Sequence, residues 1–162
     1  MQRKRALLTL GVAAIAGATL VAVPTGSAAP AKQRVAIEIS LNLSTGKGTF
    51  KVIPLTPGPL KRDSGTFVGG GDFKPAVIRK NGQRMTLIIG EDNHVGKNGT
   101  FRLTQRVESV DAGRGWTADT GTWSFAKGTG AYAGVTGGGG FAAAGPPTGI
   151  LVAREEGYVS KT

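Results

Sequence analysis

Residues 128–141 read GTGAYAGVTGGGGF and hold seven glycines, with Tyr132 and Phe141 as the only large side chains. Glycine permits positive φ angles and a close approach of two backbones. Because Trp123 and Phe125 alternate with polar residues just before this stretch, we predict that a strand ends there, that GTGAYAG turns the chain, and that GGGGF begins the next strand. A tight barrel corner needs such residues. The corner is built on Gly128, Gly130, Tyr132, Gly134 and Phe141, with Tyr132 plugging the rim.

The same glycines do not match a phosphate-binding loop. That loop requires Lys and then Ser or Thr directly after its last glycine, between a strand and a helix. Here Phe141 follows the last glycine, and AAAGPP soon interrupts any helix. A dinucleotide-binding fingerprint fails because no βαβ unit surrounds the stretch.

Apolar and polar residues alternate along several other segments, which is typical of strands with one buried face. The alternating rows are Val35 to Leu43, Met85 to Ile89, Phe101 to Val107, and Ile150 to Tyr158. Asn81-Gly82 predicts a two-residue hairpin turn, and PLTPGP at residues 54–59 predicts a loop or the end of a strand, since proline cannot donate to a ladder. No amphipathic helix of ten residues follows residue 31. The pattern predicts an antiparallel barrel or sandwich of six to nine strands.

The N-terminus reads as a secretory signal peptide: MQRKR, an apolar run over residues 6–23, then PTGSAAPA. We predict cleavage after Ala31 rather than Ala29, because Pro30 would otherwise follow the scissile bond. The alternative is an uncleaved membrane anchor, since the run reaches the lower length of a membrane span. The predicted organisation is a signal peptide over 1–31 and one β-barrel domain over 32–162, secreted outside the cell or to the cell envelope.

The composition describes a basic domain without cysteine, which must be held together by core packing instead of disulfides. Loss of Arg3, Lys4 and Arg5 with the signal would leave 17 basic and 10 acidic residues, a net charge of +7. These charges are dispersed and form no block of like sign. They favour a soluble surface with weak attraction for anionic polymers.

No residue constellation indicates a known catalytic or metal centre. GEDNHVGKNG at residues 90–99 contains the only histidine, His94, but lacks the ligand spacing of calcium or zinc sites, so we predict a hairpin loop and no metal. A G-x-S-x-G motif is missing, and no two carboxylates are marked as glycosidase partners. The aromatic residues lie on apolar parity, which favours a core over a nucleic-acid-binding face.

Polar residues that continue an apolar row are candidates for an interior cavity. Gln105 continues the row of Phe101 and Leu103, and Arg154 and Glu156 continue the row of Ile150 and Val152. If the sheet closes, Gln105, Arg154 and Glu156 would border a ligand cavity together with Phe101, Leu103 and Trp123. The alternative is that these strand ends emerge into solvent.

Three segments together resemble the allene oxide cyclase and dirigent-like barrel superfamily, especially its small secreted bacterial members. They are DSGTF at 63–67, NGTFRL at 98–103 and GTWSFAKGTGAYAGVTGGGGF at 121–141. The resemblance implies an eight-stranded antiparallel barrel, an apolar interior ligand, no cofactor, and a trimer as in the plant members. Those plant proteins guide fatty-acid epoxide cyclisation or phenoxy-radical coupling. Only framework residues match, so no catalytic residue is carried over.

Three functions follow as hypotheses. The first is a cofactor-free barrel that binds a small apolar or phenolic molecule without turnover. The second is a cyclase or dirigent-like isomerase in which Arg154, Glu156 or Gln105 polarises the substrate. The third is a basic envelope protein that binds polyanions. Neither nucleic acid nor, after cleavage, a membrane is an expected partner.

Overall fold

The computed structural model describes residues 31–69 and 74–162, so the predicted signal peptide, its cleavage site and the alternative anchor lie almost entirely outside the described residues. The described chain is all β apart from turns and one short 3₁₀ turn, η1 (Gly130–Tyr132). None of its helices is long and apolar enough to cross a membrane. The strands are β1 (Gln33–Asn42), β2 (Lys47–Pro54), β3 (Asp63–Val68), β4 (Lys74–Lys80), β5 (Gln83–Gly96), β6 (Gly99–Gly113), β7 (Trp116–Gly128), β8 (Val135–Gly145) and β9 (Ile150–Lys161).

These strands form one antiparallel sheet that closes into a barrel-like ring. The order is β3-β2-β1-β9-β8-β7-β6-β5-β4, and an additional pairing between β3 and β5 closes it. Residues 65–68 of β3 pair with residues 93–96 of β5, whereas β4 pairs with residues 83–89 of β5. Eight strands therefore make the ring, and β4 extends the same edge of β5. The predicted antiparallel fold of about eight strands is confirmed.

The turns follow the local chemistry of the sequence. Asn81 and Gly82 have φ angles of 52° and 79° between β4 and β5, which is the geometry that a two-residue Asn-Gly hairpin requires. In the proline-rich segment at 54–59, Pro54 ends β2 and residues 55–59 lie in bends. Both predicted turns are confirmed.

The glycine-rich corner is also confirmed. Strand β7 ends at Gly128, Gly130 and Gly134 have φ angles of 58° and 71°, and β8 begins at Val135. Tyr132 is buried at this corner. A Cβ at Gly128 would lie 2.6 Å from the Tyr132 Cβ, so any larger residue would displace the tyrosine. Phe141 lies farther along, inside β8.

The remaining glycines let β8 and β9 approach each other closely. Gly139 is paired with Gly157, and a Cβ on Gly139 would lie 2.0 Å from the carbonyl oxygen of Glu156. No side chain fits at that distance. The GGGG run is therefore a strand segment whose composition is required by the neighbouring backbone.

Aromatic side chains fill one half of the ring. Phe101 packs against Phe50 with ring centroids 5.3 Å apart and against Tyr132 at 4.4 Å. We call this half the closed end. It contains η1, the starts of β1, β3, β6 and β8, and the ends of β2, β5, β7 and β9. The opposite half is the open end.

Candidate functional site

The interior of the open half contains a cavity of about 470 Å³. Its walls are largely apolar, and it extends to the turn between β1 and β2, where Leu43 is half exposed. The apolar lining side chains come from seven strands and from that turn: Ile39, Leu41, Leu43, Phe67, Pro75, Ile88, Val107, Phe141, Leu151 and Ala153. The apolar character of the cavity walls follows from the alternation of side chains along each strand, because every second residue points into the ring.

The polar side chains that line this cavity lie on two adjacent strands. Gln105 and Ser109 belong to β6, and Thr117 and Asp119 belong to β7. Ser109 and Asp119 are paired in register, so they lie side by side near the open end. The cavity therefore has one polar strip on an otherwise apolar wall.

A buried polar cluster made of Asp92, His94, Gln105 and Glu155 lies within the ring. The Gln105 Nε2 donates a short hydrogen bond to the Glu155 Oε1. The Asp92 Oδ1 lies 3.4 Å from the His94 Nδ1, and His94 stacks on Phe101 with centroids 4.3 Å apart. Asp92, His94 and Glu155 are completely buried. Several polar atoms of the cluster have no side-chain hydrogen-bond partner within the described protein. They are both Asp92 carboxyl oxygens, both His94 ring nitrogens and the Glu155 Oε2.

Burial controls the ionisation of this cluster. It raises the pKa of Asp92 to about 8 and lowers the pKa of His94 to about 3. Burial, reinforced by the nearby Asp92, also raises the pKa of Glu155 well above its ordinary value, although the Gln105 hydrogen bond opposes this. An Asp92–His94 ion pair would leave both charges without further hydrogen bonds, which is costly away from water. Asp92 and His94 are therefore both neutral in the folded protein near pH 6, and the raised pKa of Glu155 favours the neutral form of that group as well.

Four of the predicted cavity residues lie inside the ring, but only one of them lines the cavity. Gln105 lies on the polar strip. Phe101, Leu103 and Trp123 are buried in the hydrophobic core and do not border the cavity. They fill the interior at the level of the buried polar cluster, since Phe101, Leu103 and Trp123 are paired with His94, Asp92 and Gln105. The ring is thus solid in one half and hollow in the other.

The predicted inward position of Arg154 and Glu156 is wrong. Leu151, Ala153 and Glu155 face inward, and the two neighbouring residues lie on the outer surface. Arg154 there bonds Glu38 and Glu156, and Glu156 also bonds Arg34. The error arises because β9 has apolar residues on both faces. Two of the three residues suggested for an isomerase consequently cannot reach the interior.

The predicted hairpin loop at residues 90–99 is also wrong. Residues up to Gly96 continue β5, and only Lys97 and Asn98 form the turn. In this strand Asp92 and His94 face inward, whereas Ile89, predicted to face inward, is half exposed. Asp92 and His94 are two residues apart and have the same parity as Ile88, which is the spacing of side chains on one face of a strand. The polar composition of residues 90–99 favoured a loop instead.

Comparisons with known proteins give no relative for this chain: no family model matches it, and neither a curated protein nor a solved structure does. Within residues 31–69 and 74–162, no three His, Cys, Asp or Glu side chains are grouped so that they could hold a metal ion. The resemblance to the allene oxide cyclase and dirigent-like barrels stays a prediction.

Proposed function

We propose that this protein binds a small, mainly apolar molecule inside the ring. The supporting observation is the cavity of about 470 Å³, whose size lies in the range of small-molecule sites. Its apolar walls would favour a hydrophobic body, and the strip at Gln105, Ser109 and Asp119 would orient one polar group. Membership of the allene oxide cyclase and dirigent-like barrels is part of the same proposal, and such a fold would serve to confine its ligand.

Filling the cavity tests this proposal directly. Ala153 lines the cavity and is buried, whereas the adjacent Val152 is on the outer face and 61% exposed. Ala153→Phe places a ring in the cavity, and we expect it to weaken binding of a hydrophobic fluorescent probe such as 1-anilinonaphthalene-8-sulfonamide at least 10-fold. Val152→Phe adds the same ring outside, so probe fluorescence titrations should give an affinity within about 2-fold of the unmodified protein.

Equal affinities of the two variants for the probe would contradict interior binding. Native mass spectrometry after incubation with a lipid and phenolic extract then identifies natural ligands. A molecule retained by the unmodified protein and by Val152→Phe, but lost from Ala153→Phe, is the expected result.

A second candidate function is binding of an anionic polymer by the closed end. Six exposed cations lie on the segments that meet there: Lys32, Lys61, Arg62, Lys97, Lys127 and Lys161. Asn98 Nδ2 donates to the Arg62 carbonyl, and the Lys97 N–H donates to Asp63, so these segments are adjacent. Among the described residues none of the six forms an ion pair, and Asp63, the acid to which the Lys97 and Asn98 N–H groups donate, is buried.

Two triple variants, one at the closed end and one on β4 and β5, distinguish polymer binding at the closed end from an effect of the net charge. The triple variant Lys61→Gln, Arg62→Gln, Lys97→Gln removes three charges from the closed end, and Lys74→Gln, Arg79→Gln, Arg84→Gln removes three from β4 and β5. We expect the first to weaken binding to long-chain polyphosphate about 10-fold and the second less than 3-fold, with both affinities falling as salt shortens the screening length below about 8 Å. If both variants lose the same affinity for polyphosphate, binding depends on the overall charge of the protein and not on the closed end.

A further inference from the structure

The interior of the ring is acidic, although the protein as a whole is basic. Asp92, Asp119 and Glu155 are all buried. No Lys or Arg is buried in the part of the chain that the structure describes, and neither residue type lines the cavity. A ligand that enters the cavity therefore meets the carboxyl group of Asp119 and no compensating cation.

Asp119 is the carboxyl group that such a ligand contacts. It lines the cavity beside Ser109 and is only 6% exposed. Its Oδ1 is fully buried and has no hydrogen-bond partner within the described protein. Folding has already removed most water from this carboxylate, so a cationic partner would recover a strong charge-assisted hydrogen bond. Burial correspondingly raises the pKa of Asp119, a shift that a hydrogen bond from Ser109 opposes.

We propose that the cavity selects apolar amines, whose ammonium group pairs with Asp119 while the apolar body lies against Ile39, Phe67 and Leu151. This inference rests on the proposed interior binding. It excludes fatty-acid and other carboxylate ligands, because two like charges close together in a poorly hydrated cavity repel each other strongly. The cations on the outer surface do not reverse this preference, since solvent screens them over about 8 Å at physiological ionic strength.

A matched set of three ligands tests the selectivity. Naphthylmethylamine, naphthylmethanol and naphthoate share one ring system and differ in charge. Isothermal titration at pH 7.5 should show the amine binding about 10-fold more tightly than the alcohol, and the carboxylate at least 10-fold more weakly. In Asp119→Asn, the amine should fall to the affinity of the alcohol, whose own affinity changes less than 3-fold.

The control variant is Asp111→Asn, which removes one exposed acid from the end of β6 that lies at the open end of the ring. It should leave all three affinities unchanged. The ligand series on the unmodified protein decides the question even if Asp119→Asn does not fold. Amine selection is overturned if the carboxylate binds as tightly as the amine. Interior binding still holds in that case, provided that the alcohol competes with the hydrophobic probe. Failure of all three ligands to displace the probe overturns both proposals.

Discussion

The free energy of unfolding should fall as the pH rises from about 4.5 to 8, most steeply above pH 6.5. This result is unusual, since most proteins are most stable between about pH 5 and 8. Its origin is the buried cluster of Asp92, His94 and Glu155, in which burial favours the neutral form of each group. In the unfolded chain all three return to ordinary pKa values.

The sign follows from counting protons. Between about pH 4.5 and 6.5, the folded protein holds a proton on Asp92 and the unfolded chain holds one on His94, so these two contributions cancel. The raised pKa of Glu155 makes the folded state bind more protons than the unfolded chain, so stability falls as pH rises. From 6.5 towards 8 the unfolded His94 is neutral too, and Asp92 then adds a fall of about 1.4 kcal/mol per pH unit. Below about pH 4 the unfolded chain binds more protons because of His94, so stability falls again.

Urea unfolding at pH 3, 4.5, 6, 7 and 8, followed by the fluorescence of the buried Trp123, measures this profile. The double variant Asp92→Asn, Glu155→Gln keeps both shapes and cannot ionise at these positions, so most of the fall from pH 4.5 to 8 should disappear. The part due to Asp119, whose pKa burial also raises, should remain. A control variant, Glu91→Gln, alters the half-buried neighbour of Asp92, which is paired with Arg102, and should retain most of the alkaline loss. Stability that rises from pH 4.5 to 8 in the unmodified protein would show that the buried carboxyl groups are ionised.

Replacement of Asp63 by Ala should destabilise the fold by about 3 to 5 kcal/mol, because it removes the acceptor for four hydrogen bonds at the closed end. The Tyr132 hydroxyl donates to Asp63 Oδ2 at 2.9 Å, and the N–H groups of Ser64, Lys97 and Asn98 donate at 2.8, 3.0 and 3.2 Å. Burial alone would raise the pKa of Asp63, but these hydrogen bonds together lower it. The carboxylate thus joins β3, the β5–β6 turn and η1.

Tyr132→Phe is the matched control for this effect. It removes one of the four hydrogen bonds and keeps the buried ring, so a loss of about 1 kcal/mol is expected. Urea unfolding at pH 6 compares the two variants, and a cavity-binding titration on the same samples should show no change for Tyr132→Phe, since the cavity is in the other half of the ring. An Asp63→Ala loss no larger than that of Tyr132→Phe would mean that the backbone donors find other partners.

The strand architecture was predictable because it depends on local patterns. Alternating apolar residues define one inward face on β1 and β6, and Asn81-Gly82 and the corner at Gly130 need backbone angles that few other residues adopt at low cost. These features act over a few residues, and the structure confirms them. The resemblance to a known barrel superfamily, the signal peptide and the trimer stay predictions.

The interior site was predictable only in part. Gln105 follows an unambiguous apolar row, and it does line the cavity. On β9, Ile150 and Val152 compete with Leu151 and Ala153 for the inward face, and composition favours neither row. In the structure the row of Leu151 and Ala153 faces inward. In this orientation Glu155 accepts the hydrogen bond from Gln105, and Arg154 forms its ion pairs on the outer surface. Asp92 and His94 were missed because buried polar residues do not produce the apolar alternation that marks a strand.

Local sequence specifies an all-β chain, the position of its sharp turns and a glycine-rich corner, since these depend on the preferences of neighbouring residues. Long-range packing determines which face of β9 is buried, that the polar stretch before Lys97 is a strand, and that the ring is hollow in one half. Those outcomes depend on contacts between residues of different strands, such as Phe67 with His94 and Gln105 with Glu155, and a local pattern carries no record of such partners.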